Sequence, residues 1–208
     1  TQGYSSAASD VYKRQHQKCV QGNEKIMYYL AQMVRYPYDF KQLIYSSQLV
    51  QADCIRSNVE HMRRARGRCM GSAYWQVNDS NPVISWSSID YFGRWKGLHY
   101  YAKRFYAPCL ISCDDTHRKK PVLNISNERM TAFDGIVKWK LRNNKAEILQ
   151  SGEKSVNVPA LTAQNVLTID LSDELKNRTD PREKYLEYSI MENGKVLSFG
   201  TCLLYTSD

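Results

Sequence analysis

The hydrophobic period of this chain changes near residue 108, and that change constrains its possible folds more than any other feature. Before residue 108, apolar residues recur at helical spacing, for example at Ile26, Tyr29, Leu30, Met33 and Val34. After it, apolar and polar residues alternate, for example along Val137-Lys-Trp-Lys-Leu141. Spacings of three and four residues favour amphipathic helices, whereas a period of two favours strands with one buried face. The sequence therefore predicts a mostly helical part followed by a β part.

Three helices are predicted in the first part. Asn23 is a candidate N-cap for the first helix, which Pro37 ends. Asp39 can cap a second, long helix through Arg66, and Gly67 is its expected stop. A third helix is predicted over 94–106, with one apolar face made by Trp95, Leu98, Tyr101, Ala102 and Phe105.

Between the second and third helices lies a short apolar segment, 69–77, which reads as a strand buried on both faces. A polar loop over 78–82 follows it. The second helix ends in a basic cluster, Arg63, Arg64, Arg66 and Arg68. Cations at a helix C-terminus are favoured by the helix dipole, and we prefer that interpretation. A phosphate or nucleic-acid contact remains the alternative.

Several short alternating strands follow residue 108, and Asn193-Gly194 is typical of a two-residue hairpin turn. This pattern indicates a β-sandwich of the immunoglobulin type. We expect domains over 16–108 and 109–201. Residues 1–15 and 202–208 are expected to be non-native, because both resemble translated adapter sequence; a disordered natural arm is the alternative for 1–15.

Charge and cysteine content bear on partners and compartment. The formal net charge of +8 suggests nucleic-acid binding. No recognition motif accompanies this charge, so nucleic acid is not expected as a partner. No apolar run is long enough to span a membrane, so no membrane partner is expected. The six cysteines include no C-x-x-C pair, which favours a reducing, cytoplasmic compartment. The spacing of Cys109, Cys113 and His117 lacks a fourth ligand, so we predict neither a metal nor a cofactor.

Polar chemistry concentrates where the apolar segment ends, at Trp75, Asn78 and Asp79. An indole presents a flat apolar face that can cover the C–H face of a sugar ring, while amide and carboxylate groups bind hydroxyls. No glycine-rich phosphate loop is present. We therefore predict a sugar-binding site with these three residues, although core packing of Trp75 is an equal alternative from the residues alone.

Residues 74–108 carry the stretch YWQVNDSNPVISWSSIDYFGRWKGLHYYAKRFYAP, which resembles β-mannosidases of glycoside hydrolase family 2. The upstream pieces HQK, GNEKI and YDFKQLIYSSQLVQADCI resemble the same family in the same order. One departure is Asn81, where many members have a second Trp; it bears on how the loop closes over the site. Exo-β-glucosaminidases are similar but read W-M-L-N-N where this chain has Trp75-Gln-Val-Asn-Asp79.

The resemblance implies the C-terminal part of a (β/α)8 TIM barrel followed by an immunoglobulin-like β-sandwich, both incomplete. It also implies an exo-acting, retaining enzyme that releases terminal β-D-mannose, with two catalytic glutamates upstream of residue 16. No catalytic residue is therefore expected here. Asp79 would bind a hydroxyl or orient Asn78, and Asp90 would hold the loop through Arg94. The expected partners are a β-mannoside and the enzyme's own upstream domains. Another family 2 glycosidase and a non-catalytic carbohydrate-binding module remain the alternatives.

Overall fold

The computed structural model describes residues 16–177 and 183–204. The predicted leader 1–15 and the last residues, 205–208, lie outside the described residues. The chain divides into two compact units. The first contains the described residues up to Asn58 together with Ser72–Lys103, and the second contains Val59–Gly71 and the chain from Arg104 onward.

Among the described residues, three helices precede the strands: α1 (Gly22–Met33), α2 (Phe40–Arg64) and α3 (Gly97–Phe105). Asp39 caps α2 as predicted, because its Oδ1 accepts from the Gln42 amide at 2.7 Å. Gly67 follows the end of α2 as predicted, and it has a left-handed φ of 97°. The predicted cap Asn23 is wrong. Helix α1 begins at Gly22, and the Asn23 side chain instead accepts from Gln17.

Segment 69–77 was predicted as a strand buried on both faces, and the structure contradicts this. Met70 is 70% exposed and Val77 is 53% exposed, and no named strand covers these positions. A doubly buried strand needs a hydrogen-bonded neighbour on each side and helices above and below. Within the described residues, only the stretch around Ile89 pairs with the end of this segment, through Asn78. The segment is apolar, but among the described residues it lacks the neighbouring strands that would bury it.

In the part of the second unit that the structure describes, seven strands form two antiparallel sheets. The three-stranded sheet has the order β1-β2-β5, and the four-stranded sheet has the order β4-β3-β6-β7. Their bounds are β1 (Cys109–Asp114), β2 (Val122–Asn127), β3 (Phe133–Asn143), β4 (Ile148–Val158), β5 (Thr162–Thr168), β6 (Lys184–Glu192) and β7 (Lys195–Leu203). Seven strands in a three-plus-four arrangement agree with the predicted immunoglobulin-type sandwich.

The inner faces of the two sheets make one apolar core. The alternation seen in the sequence decides which side chains enter it: Val137 and Leu141 on β3 are fully buried, as are Leu186 and Ile190 on β6. The β6–β7 hairpin turns at Asn193-Gly194, where both residues have positive φ as the primed turn requires. Strand β7 continues past the predicted boundary at 201 and pairs Cys202 with Leu186.

In one row of this core, two adjacent aromatic rings on the inner strands are flanked by glycines on the outer strands. Gly152, Trp139, Tyr188 and Gly200 are successive neighbours from β4 to β7. A methyl group on Gly152 would lie 2.8 Å from Trp139 Nε1, and one on Gly200 would lie 2.7 Å from the Tyr188 ring. The glycines therefore make room for the two rings to lie flat on the neighbouring backbone.

The basic cluster at the end of α2 makes internal contacts in the second unit. Arg63 Nη1 donates to the carbonyl oxygens of Phe105 and Ala107 at 2.6 and 2.8 Å. Arg64 donates to the Cys113 carbonyl at 3.2 Å, and Arg66 pairs with Glu128. Arg63 thus donates hydrogen bonds to carbonyl groups at the C-terminal end of α3. The sequence predicted an interaction with the dipole of its own helix, α2. These contacts support the structural interpretation of the cluster over a phosphate site.

Strands β1 and β2 also bury polar side chains on the face away from the core. Asn124 is 3% exposed and donates through Nδ2 to Asn165 Oδ1 at 2.9 Å, which links β2 to β5. All six cysteines are free thiols. Within residues 16–177 and 183–204, no helix combines the length and apolar character needed to cross a bilayer.

The Gly152–Trp139 contact predicts a strong size limit at Gly152. Gly152→Ala should lower the free energy of unfolding by about 1–3 kcal/mol, because the indole or the strand must shift to admit the methyl group. Chemical denaturation followed by Trp fluorescence measures this loss. Gly71→Ala is the matched control, since a methyl group there meets nothing within 4 Å. Equal stability of the two variants would contradict the proposed contact.

Candidate functional site

The predicted site lies in a small set of paired segments of the first unit. The Ser88 amide donates to the Gln76 carbonyl at 2.9 Å, and the Ile89 amide donates to the Val77 carbonyl at 2.7 Å. On its other side the same segment pairs Ile89 with Trp95. Residues 76–78, 88–90 and 94–96 therefore run side by side as a short ladder, and loop 79–87 connects the first two.

Asp79 is buried beneath this loop. Its carboxylate lies 2.6 and 2.8 Å from the Ser85 hydroxyl and also accepts from Ser87. Gln76 Nε2 donates at 3.2 Å, and Lys96 Nζ pairs with it at 3.4 Å. A buried carboxylate needs several donors of this kind to offset the loss of water. Asp79 therefore ties the two ends of loop 79–87 to the start of α3.

The pKa of Asp79 lies below its ordinary value. Burial alone would raise it, but the hydrogen bonds from Ser85 and Ser87 and the charge of Lys96 outweigh burial. The carboxylate is thus ionised at neutral pH and acts only as an acceptor. With Ser85, Ser87, Gln76 and Lys96 around it, its oxygens point into the protein's own loop.

The other two predicted site residues face solvent. Trp75 is 74% exposed, and Asn78 is also exposed. The Trp75–Gln76 peptide bond is cis. Core packing of Trp75, the alternative weighed from the sequence, does not occur within the described residues. An exposed indole and an exposed carboxamide supply the apolar face and the polar group that a sugar ring requires.

Asp90 makes the contact expected of it. Its carboxylate accepts from Arg94 Nε at 2.7 Å and from the backbone amides of Phe92 and Arg94 at 2.9 Å each. Burial would raise the pKa of Asp90, but these hydrogen bonds and the Arg94 charge lower it overall. Asp90 therefore closes the turn between the second and third segments of the ladder.

A polar chain that the sequence analysis missed runs behind the exposed face. The Ser88 hydroxyl is fully buried and lies 2.8 Å from the Tyr74 hydroxyl, 3.0 Å from the Val77 carbonyl and 3.0 Å from His99 Nδ1. The His99 ring packs on Trp95 with their centroids 4.4 Å apart. Trp95 was assigned to the apolar face of the third helix, but α3 begins at Gly97 and Trp95 is 46% exposed. The paired segments around Ile89 and Trp95 are too short for a period-two pattern of apolar residues to indicate them in the sequence.

The metal ligands considered in the sequence are not assembled. Cys109 is buried in the sandwich, and burial raises the pKa of its thiol to about 11, which disfavours the thiolate a metal needs. In the part of the chain that the structure describes, no three His, Cys, Asp or Glu side chains come together as a metal site.

Most of the second unit is similar in sequence to a known domain family. Residues 120–205 match the family model described as Mannosidase Ig/CBM-like domain. The β-sandwich of this chain is therefore similar to that immunoglobulin-like domain.

Curated proteins with similar sequences are named β-mannosidases. β-Mannosidase of Capra hircus is 37% identical over 120 residues, which is 51% of this chain and 13% of that protein. β-Mannosidase A of Aspergillus fumigatus is 27% identical over 175 residues, 76% of this chain and 18% of that protein. The chain thus spans less than a fifth of the length of either relative. The resemblance to β-mannosidases of glycoside hydrolase family 2 is confirmed.

Solved structures show the same fold. The β-D-mannosidase of Dictyoglomus thermophilum superposes with a TM-score of 0.84 at 22% identity, over 92% of this chain and 23% of that chain. A structure of the exo-chitosanase CsxA of Amycolatopsis orientalis has a TM-score of 0.65 at 20% identity, over 83% of this chain and 20% of that one. At these identities the likeness concerns the fold.

The donors around Asp79 predict an acid-sensitive contribution to stability. Its folded pKa is lowered, so the stabilisation is present above the ordinary Asp pKa of about 3.9 and disappears as the pH falls through the folded value. Asp79→Asn should lower the free energy of unfolding by about 1–3 kcal/mol at pH 7. The gap from the unmodified chain should narrow below about pH 4.

Urea denaturation at a series of pH values measures this gap. Asp173→Asn is the control, because the Asp173 side chain is 94% exposed and its charge should have little effect at any pH. A gap for Asp79→Asn that is as large at pH 3 as at pH 7 would show that the carboxylate charge is not what holds the loop.

Proposed function

We propose that this chain is part of an exo-acting, retaining β-mannosidase, in which 16–108 closes a (β/α)8 barrel and 109–201 is the immunoglobulin-like domain. The observation that carries the proposal is the position of Trp75. It lies in the stretch that resembles the β-mannosidases, and it is exposed at the end of an apolar segment. In a β/α barrel, the carboxyl ends of the strands carry the residues that meet substrate.

The barrel assignment explains the exposed apolar surface of the first unit. Helices α1 and α2 leave large rings and aliphatic side chains in solvent, including Tyr29, Phe40, Ile44 and Tyr45. Segment 69–77 is apolar yet lacks strand neighbours, as described above. Strands of a parallel barrel are buried on both faces by their neighbours and by helices. Both features are those of a barrel's last strand and its flanking helices.

In the proposed enzyme, Trp75 stacks on the C–H face of the terminal mannose and Asn78 hydrogen-bonds a hydroxyl. Asp79 was predicted as a third contact; its inward contacts support the other role weighed for it, that of orienting Asn78. Retaining glycosidases use two carboxyl groups about 5–5.5 Å apart. Asp79 and Asp90 are each held by their own loop contacts, so the catalytic pair is proposed to lie on other strands of the barrel.

Other proposed properties follow from the same assignment. The partners are a β-mannoside and the remaining domains of the enzyme, with no role for nucleic acid, a membrane, a metal or a cofactor. The internal contacts of Arg63, Arg64 and Arg66 support the exclusion of nucleic acid. Six free thiols support a reducing, cytoplasmic compartment.

Trp75→Ala tests the proposed sugar contact. In the full-length enzyme that carries this segment, the variant should lower kcat/KM for 4-nitrophenyl β-D-mannoside at least about tenfold, near 1.4 kcal/mol of transition-state binding. Tyr38→Ala is the control, because Tyr38 is 84% exposed and lies outside the ladder. A loss below about threefold, near 0.6 kcal/mol, would contradict the role of Trp75.

The proposal also predicts that the 208-residue chain alone does not hydrolyse this substrate. Sustained release of 4-nitrophenol by the purified chain would show that the catalytic carboxylates lie within it. Faster hydrolysis of a β-glucosaminide than of the β-mannoside by the full-length enzyme would favour the exo-β-glucosaminidase alternative.

A further inference from the structure

The short ladder places Trp95 on the same face as Asn78. Asn78 pairs with Ile89, and Ile89 pairs with Trp95 on its other side. Residues directly opposite each other on paired segments project to the same face. The exposed carboxamide of Asn78 and the half-exposed indole of Trp95 therefore project from one surface, with Ile89 between them. Their backbones are separated by two interstrand spacings, roughly 10 Å.

The Trp95 ring is held in one orientation. His99 packs against it at 4.4 Å between centroids, and Tyr100 makes an edge contact at 5.2 Å. His99 is in turn fixed through Nδ1 by the buried Ser88 hydroxyl at 3.0 Å. Ser88 is itself fixed by the Val77 carbonyl and the Tyr74 hydroxyl.

This support distinguishes Trp95 from an exposed aromatic ring on an ordinary surface. A solvent-facing ring loses side-chain entropy when it is held still, and a buried polar chain is costly unless all its members are satisfied. Binding sites use this arrangement, in which contact residues are locked by packing and by hydrogen bonds behind them. The same Ser88 that orders the Trp95 side also contacts the backbone of the Asn78 segment, so the two groups are held in register.

We infer that Trp95 is a second sugar-contacting residue, which stacks on the unit next to the terminal mannose of a β-linked manno-oligosaccharide. The inference rests on the proposed function and adds a specificity-determining residue to it. Ile89, not Trp95, is the immediate neighbour of Asn78. A ring seated on Asn78 and Ile89 therefore leaves the Trp95 indole for the following unit.

The four tryptophans of the chain allow a direct test by nuclear magnetic resonance. Each of Trp75, Trp86, Trp95 and Trp139 has one indole Nε1–H, and single Trp→Phe variants assign the four signals. The 208-residue chain is titrated with methyl β-D-mannoside and, separately, with β-1,4-mannobiose. Trp139 lies in the β-sandwich and serves as the internal control.

The expected result is that methyl β-D-mannoside shifts the Trp75 signal, whereas mannobiose shifts Trp75 and Trp95 along one saturation curve. Mannobiose should bind roughly three- to tenfold more tightly than the monosaccharide, and Trp95→Ala should remove that difference while the monosaccharide affinity stays unchanged. Trp95→Phe should retain most of it. An otherwise unchanged amide spectrum verifies that each variant is folded.

His99→Ala tests the supporting chain. It leaves Trp95 in place but free to turn, so it should reduce the mannobiose advantage severalfold without changing binding of methyl β-D-mannoside. A role in folding alone would instead weaken both sugars equally or neither.

The other outcomes separate this inference from the proposed function. If mannobiose moves Trp75 but not Trp95, the inference is wrong and the proposed function stands. If methyl β-D-mannoside alone moves Trp95 fully, Trp95 belongs to the terminal unit and the assignment to the next unit fails. If neither sugar moves either signal while the chain is folded, the inference is overturned, and the proposed function is judged separately by the activity of Trp75→Ala in the full-length enzyme.

Discussion

Four side-chain donors converge on the carboxylate of Asp79, and the geometry of the candidate site depends on that convergence. The hydroxyls of Ser85 and Ser87 bring the far end of loop 79–87 back to its start, and Lys96 connects the loop to the beginning of α3. Without these contacts, the carboxylate buried at the start of the loop would lack the donors that offset its loss of water. Asn78 precedes this anchor by one residue, so the anchor also limits where the Asn78 carboxamide can go.

Behind this loop, a second set of contacts orders the aromatic side of the site. Ser88 comes directly after Ser87, which contacts Asp79, but Ser88 contacts different partners, Tyr74 and His99. Adjacent residues of one segment thus point to opposite sides of the ladder and organise two separate networks. One network contains the charges of Asp79 and Lys96 and fixes the backbone of the loop, whereas the other joins hydroxyl groups to His99 and fixes aromatic rings.

Sequence patterns predicted the second unit better than the first, for a physical reason. On β3 and β6, burial follows the local alternation of Val137, Leu141, Leu186 and Ile190, because a sandwich strand has one inner and one outer face. The segment 69–77 has no such periodicity, and its state depends on neighbours that composition does not specify. Trp95 was placed on a helix face for a similar reason: its spacing to Leu98 and Ala102 fits a helix that in fact begins two residues later.

The formal net charge of the chain is larger than the positive charge that is accessible to a polyanion. Arg63, Arg64 and Arg66 are adjacent in sequence, yet each guanidinium makes a contact inside the second unit. Their planar forks match carbonyl and carboxylate oxygens, which is where arginine differs from lysine. A basic cluster in a sequence can therefore make internal contacts or bind a polyanion. Only the contacts seen in the structure distinguish these two roles.

The buried position of Asn124 has a consequence for covalent modification. Asn124-Ile-Ser126 has the sequence of an N-glycosylation acceptor, but the side-chain nitrogen that would carry the glycan donates to Asn165 between β2 and β5. A transferase can reach this nitrogen only while the strands are apart. A glycan on that nitrogen does not fit the buried position of Asn124, so the modification and this contact with Asn165 are mutually exclusive.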